Sequence, residues 1–202
     1  MKNFFIFLLC FFCNFFALCD DKKSNDEALA EIKTYLSNLK SLESHFEQSD
    51  GYGKRASGTF YLKTKKCKGK LVYNPPAPHV VTIKNNELII FDRDLEEETR
   101  TSAYSYPWSV FSTLFGKQED LAKYFKVTEV KRNSASIAIT LCSVDEDQEG
   151  AMMCIFDSKT HELKGWVLFE KKNDRFSNFI EVILVNPKIN QPISDDVFEK
   201  VY

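Results

Sequence analysis

Two long stretches in which apolar residues recur at every second position constrain this chain more than any other feature of it. The first runs through short blocks, Ser57 to Lys63, Gly69 to Tyr73, His79 to Lys84, Glu87 to Asp92 and Leu95 to Thr101, each bounded by turn-forming residues. The pattern resumes as Phe125 to Lys131, Ser136 to Val144, Ala151 to Phe156, Leu163 to Glu170 and Phe176 to Val185. Alternation puts every second side chain on one face of a strand, and short connections between successive strands make neighbours antiparallel. The expectation is a mainly β, α+β fold, a large antiparallel sheet with helices laid on one face.

The helical signals lie around these blocks. Ser24 and Glu27 have capping-box spacing, and Leu29, Ile32, Leu36 and Leu39 follow at intervals of three and four, which predicts an amphipathic helix running to about Phe46. Its other face carries Glu31, Lys33, Lys40 and Glu43. Between the two strand blocks, Pro107 opens a short apolar helix with Trp108, Val110, Phe111, Leu114 and Phe115, ended by Gly116, and a second short helix is expected around Leu121 to Tyr124. Ser194 to Phe198 suggests a last helical turn.

The N-terminus has a separate logic. Of 18 phenylalanines, Phe4, Phe5, Phe7, Phe11, Phe12, Phe15 and Phe16 fall in an apolar run that follows Lys2 and ends before Asp20. That layout is a secretory signal peptide over residues 1–19, which leaves residues 20–202 as a single domain, since no Gly-, Pro- or Ser-rich linker divides them. Ala17 and Cys19 are the small residues that a signal peptidase reads. The alternative is a lipid-modified Cys19, against which Leu18 stands where a lipobox wants a small residue.

Chemistry of the catalytic kind is thinly represented. His45, His79 and His161 have no metal-ligand spacing with one another or with cysteine, so no metal, cofactor or catalytic residue is assigned and the expectation is not an enzyme. Cys67 sits among Lys65, Lys66 and Lys68, whose ammonium groups would lower a thiol pKa, or it is simply a loop thiol between solvated lysines. Cys142 and Cys154 flank the polar stretch Asp145 to Gly150, read as a hairpin connection, and a disulfide between them is expected, with Cys67 free. The 27 Lys and Arg against 29 Asp and Glu are interspersed, which argues against nucleic-acid binding.

What stands out is the apolar content of the first strands. Period two gives Phe60 and Leu62 one face, and likewise Leu71 with Tyr73, Val81 with Ile83, and Leu88 with Ile90. These eight residues form either an ordinary sheet core or the lining of an acyl-chain cavity under a movable cover. Trp108, Phe111, Leu114 and Phe115 are the expected cover, or lid, with plain core packing as their other role.

An ordered series of short motifs carries a resemblance. Leu36-x-x-Leu39-x-x-Leu42, Phe46-x-Gln48, the turn from Asp50, Ser57-Gly58-Thr59-Phe60-Tyr61-Leu62, Tyr73-Asn74-Pro75-Pro76-Ala77-Pro78, Leu88 to Asp92, Pro107 before an apolar helix, and Asn190-x-x-Ile193-x-x-x-x-Phe198 follow one another over nearly the whole mature chain. Together they resemble the periplasmic outer-membrane lipoprotein carrier family (LolA-like). The resemblance implies an unclosed antiparallel half-barrel with an N-terminal helix and short lid helices. It also implies a periplasmic carrier, a monomer, whose partners are acylated lipoproteins, an inner-membrane ABC-type releasing complex and an outer-membrane acceptor. Where that family has Arg-Pro shortly after the strand matching Phe60 to Leu62, this chain has Thr64-Lys65, so a lid latch here uses other donors or is looser. A membrane-anchored acceptor and a periplasmic sensor of the same fold are the alternatives, with an extracytoplasmic hydrolase as a third class.

Overall fold

The computed structural model describes residues 21–84, 87–103, 125–144, 150–172 and 175–199. Helix α1 (Asp21–Asn38) is followed by β1 (Ser41–Asp50), β2 (Arg55–Lys63), β3 (Lys68–Tyr73), β4 (His79–Lys84), β5 (Glu87–Asp92) and β6 (Glu97–Ser102). Then come β7 (Phe125–Arg132), β8 (Ser136–Ser143), β9 (Ala151–Asp157), β10 (Leu163–Lys172), β11 (Arg175–Ile189) and a terminal helical turn, α2 (Asp196–Glu199). The strands make one 11-stranded antiparallel sheet in the order β6-β5-β4-β3-β2-β1-β11-β10-β9-β8-β7. β6 and β7 are its two edges and do not pair with each other, so the half-barrel is unclosed.

The two strand blocks read from the sequence are joined by a strand the periodicity concealed. The first helix stops at Asn38 rather than near Phe46, and Ser41–Asp50 pairs with β2 on one side and β11 on the other. Leu42 and Phe46 are four apart, a spacing that fits a helix turn and a strand face equally well, because four is near 3.6 and is also an even number. Two ladders of hydrogen bonds settle the ambiguity in favour of the strand. The helix is already formed at Asp21, the first described residue, so Ser24 lies inside it rather than at its start.

Turns in this meander are built by Asx side chains. Asp50 Oδ1 accepts from the N–H of Tyr52 at 2.9 Å and of Lys54 at 2.8 Å, and Asp157 Oδ1 accepts from Lys159 at 2.9 Å and Thr160 at 3.0 Å. Asp92 and Asn133 do the same at their own hairpins. Register irregularities between Glu43 and His45, Val127 and Glu129, Leu163 and Gly165, and Leu168 and Phe169 bend the strands they interrupt.

The main core lies on the inner face. α1 buries Ala28, Ile32 and Leu36 there, Leu39 just past its end is buried with them, and Tyr35 meets Phe156 edge to face at 6.3 Å. Glu31 Oε2 stands 3.2 Å from Arg132 Nη1 and 3.1 Å from His161 Nε2, so the helix is seated on the β7–β10 side. Asn190 ties the helix end to the sheet: its Oδ1 accepts from Lys40 N at 2.7 Å and its Nδ2 donates to Asn38 O at 3.2 Å.

α2 corrects the expectation that all helices share one face. It packs on the outer face, where Phe198 is fully buried with Lys63 and Lys68 Nζ each 5.9 Å from its ring centre. Asp195 binds Lys63 and Lys66, Glu199 binds Lys68 and Lys84, and buried Lys70 donates to Val197 O at 2.8 Å.

Candidate functional site

The strand register brings all eight singled-out apolar residues onto the inner face. Phe60 opposes Leu71, Leu71 opposes Val81 and Val81 opposes Ile90, which makes one row across β2, β3, β4 and β5. Leu62, Gly69, Ile83 and Leu88 make the next row, and Tyr73 stands opposite Gly58. Phe60, Leu62, Leu71, Val81, Ile83 and Leu88 are buried, while Tyr73 and Ile90 are partly buried at the border of the same cluster. Trp166 on β10 completes this floor by meeting Phe60 at 5.4 Å between ring centres.

A polar pair closes one end of the floor. Tyr73 on β3 reaches across β2 to β1, where its hydroxyl donates to Gln48 Oε1 at 2.7 Å and its ring meets Phe46 edge to face at 5.1 Å. Gly58 makes that reach possible. A Cβ there would stand 2.7 Å from Phe46 Cε1 and 2.1 Å from the backbone oxygen of Val72, so no side chain fits beneath the Phe46 ring. Burial pushes the Tyr73 phenol up to about 12, which keeps it a neutral donor throughout the physiological range.

Beyond Tyr73 the face turns polar. His79 lies edge-on to the Tyr73 ring at 6.5 Å and its Nδ1 is 3.5 Å from Asp92 Oδ2; Glu97 stands opposite Asp92 in the next strand. The Arg93 guanidinium binds the carbonyls of Tyr73, Ala77 and Pro78, the last at 2.9 Å, and so fastens the loop between β3 and β4. Trp166, Gln48 and Arg93 were not among the residues singled out as lining. Gln48 entered only through the motif Phe46-x-Gln48, and no periodicity marks a residue whose partner lies two strands away.

Several expectations need correction or fall elsewhere. Cys142 and Cys154 are both free thiols. In the β8–β9 ladder Cys154 opposes Ile139 while Cys142 opposes Ala151, three positions along, so the two side chains are on opposite faces of the sheet and cannot bridge. Cys67 is not an activated thiol: burial raises its pKa, and the flanking Lys66 and Lys68 are engaged with Asp195 and Glu199. The lid residues Trp108, Phe111, Leu114 and Phe115 lie outside the described residues, as do the leader 1–19 and the helices expected near them. Among the described residues, no helix is long and apolar enough to cross a membrane, and no group of three His, Cys, Asp or Glu side chains is placed to hold a metal ion.

Comparison with known proteins adds independent information. The chain is 26% identical over 176 residues to the uncharacterized protein RP864 of Rickettsia prowazekii (strain Madrid E), an alignment covering 87% of this chain and 78% of that one. Among solved structures it resembles the LolA superfamily protein NE2245 from Nitrosomonas europaea, with a TM-score of 0.47 and 9% identity over 87% of this chain and 97% of that one. It also resembles MucB, with a TM-score of 0.49 and 13% identity over 88% of this chain, which spans only 63% of MucB. The model of the family described as outer membrane lipoprotein carrier protein LolA matches residues 37–200, from the end of α1 through α2. The chain therefore belongs to the outer membrane lipoprotein carrier protein LolA family.

Proposed function

We propose that this protein is a carrier for acylated lipoproteins, which lays their acyl chains on the inner face of its half-barrel. The observation that carries the reading is the unbroken apolar floor: Phe60, Leu71, Val81 and Ile90 in one row, Leu62, Ile83 and Leu88 in the next, in a chain of this family. Each methylene moved from water to such a surface contributes about 0.8 kcal/mol, so a long chain needs apolar area and no chemistry. Tyr73 and Ile90, only partly buried, mark where a chain first meets the floor. Binding of this kind involves no catalytic residue, and we assign none.

The rest of the reading follows from that role. The leader 1–19 exports the chain to the periplasm. There the mature domain receives lipoproteins from an inner-membrane ABC-type releasing complex and passes them to an outer-membrane acceptor. Native mass spectrometry of the full-length protein purified from the cell envelope tests it directly. A co-purifying acylated lipoprotein is the expected result; a protein that is free of acyl groups and takes up no lipoprotein from inner-membrane vesicles overturns it.

A further inference from the structure

The apolar floor ends in a hydrogen-bonding group that is only half used. A primary amide offers one acceptor oxygen and two N–H donors. Gln48 Oε1 is taken by the Tyr73 hydroxyl, while Gln48 Nε2 has no partner among the described residues. The side chain faces inward between Ala56 and buried Val182, on the strand next to β2 and four residues along from Ser44, the β1 residue opposite Phe60. Its half-exposed position lets water reach Nε2 in the free protein, and a chain laid along the floor would displace that water. A donor stripped of water without a new acceptor costs binding energy, so the amide selects ligands that bring an acceptor to this spot.

The surroundings define which acceptor. Asp50 follows two residues on along the same face of β1, Asp92 and Glu97 lie on that face at β5 and β6, and Arg93, just past β5, already serves three backbone carbonyls. A carboxylate at the floor's end would meet negative charge and find no free cation among these groups. A neutral carbonyl has neither difficulty.

We propose that Gln48 Nε2 is the polar end of the acyl site and donates to the carbonyl oxygen of an ester- or amide-linked acyl chain whose methylenes lie on the floor. Tyr73 is its positioning residue, fixing the amide by holding Oε1. This rests on the acyl-binding reading above, and the two are separable by ligand choice. Methyl dodecanoate and dodecyl methyl ether differ in the carbonyl while sharing the alkyl tail, and each is titrated against protein loaded with the fluorescent apolar probe N-phenyl-1-naphthylamine.

Wild-type protein should bind the ester about three- to tenfold more tightly than the ether, the range expected of one hydrogen bond. Gln48→Leu should bring the ratio to about one. Gln48→Glu keeps an acceptor for Tyr73 while removing both donors, so it gives the same answer if the leucine variant folds poorly. N-methyldodecanamide in place of the ester shows which acyl linkage gains, and a gain with either supports the assignment. Dodecanoate, with a full charge at its end, should bind more weakly than the ester. A wild-type ratio of one, or a ratio that survives in both Gln48 variants, overturns the subsite while the carrier reading stands. Failure of ether and ester alike to displace the probe removes the acyl-binding reading, and the subsite with it.

Discussion

Phe60 on β2 and Trp166 on β10 meet with ring centres 5.4 Å apart and planes at 64°, although β1 and β11 lie between their strands. Three strand spacings amount to about 14 Å in a flat sheet. Ring contact over that span means that the sheet curls and the inner-face side chains converge. The contact also joins the β1–β6 half of the sheet to the β7–β11 half, so the core is one body rather than two. Among the described residues, the backbone seam between those halves is the β1–β11 ladder.

A double-mutant cycle reads this relationship. Phe60→Ala and Trp166→Ala should each cost about 3–5 kcal/mol in urea unfolding, because both rings are buried. The pair should show a coupling of about 0.5–1.5 kcal/mol beyond additivity. Strictly additive losses would mean that the rings do not touch in solution and that the sheet is flatter than described.

What the sequence made legible follows from how each contact is encoded. Inner-face membership of Phe60, Leu71, Val81 and Ile90 depends only on period two, and a one-residue slip would have moved the whole set to the outer face, so it could be read strand by strand. β1 could not, since Leu42 and Phe46 satisfy both periods and only its ladders, with β2 on one side and with β11, over a hundred residues on, on the other, decide between them. The thiols of Cys142 and Cys154 flank a hairpin in sequence, yet register parity separates them by the thickness of the sheet. The Tyr73 bond to Gln48 skips a strand and depends on Gly58, which no local pattern announces.

The α2 clamp should loosen in acid. Hydrogen bonds from Lys63 and Lys66 hold the Asp195 carboxyl well below its usual range, and Lys84 and Lys68 lower Glu199 in the same way. A carboxyl whose pKa is depressed on folding contributes fully above its unfolded value, near 4, and that contribution is lost as pH falls through the folded value. Amide protection of Val197 and Phe198, corrected for intrinsic exchange, should therefore fall below about pH 4. High salt should weaken it at neutral pH as well, because these pairs are exposed. An Asp195→Asn, Glu199→Gln double variant that retains the same pH dependence would refute the assignment.

The cysteines give a chemical check on the sheet register. Under denaturing, non-reducing conditions Cys67, Cys142 and Cys154 should all alkylate, since none is held in a disulfide. In the native protein Cys154 should be protected until global unfolding, since it is buried on the inner face and its thiol is pushed up to about 12. Cys142, half-exposed on the other face, should react first of the β8–β9 pair. Peptide mapping that recovers Cys142 linked to Cys154 would contradict the register.

Two glutamate substitutions separate the floor as a binding surface from the floor as core. Leu71 is buried between Phe60 and Val81, and Leu71→Glu leaves an unpaired charge there at a cost of several kcal/mol, so that variant should unfold globally. Ile90 ends the same row, is only partly buried, and faces exposed Thr99 on the edge strand. A glutamate at 90 can therefore reach water, and Ile90→Glu should keep a cooperative transition weakened by about 1–2 kcal/mol. The same carboxylate lies where an acyl chain would have to pass, and desolvating it opposes binding far more than it opposes folding. Release of lipoprotein from inner-membrane vesicles should accordingly be lost in Ile90→Glu and retained in Ile90→Val. Normal release by a folded Ile90→Glu protein would move the acyl site off this row.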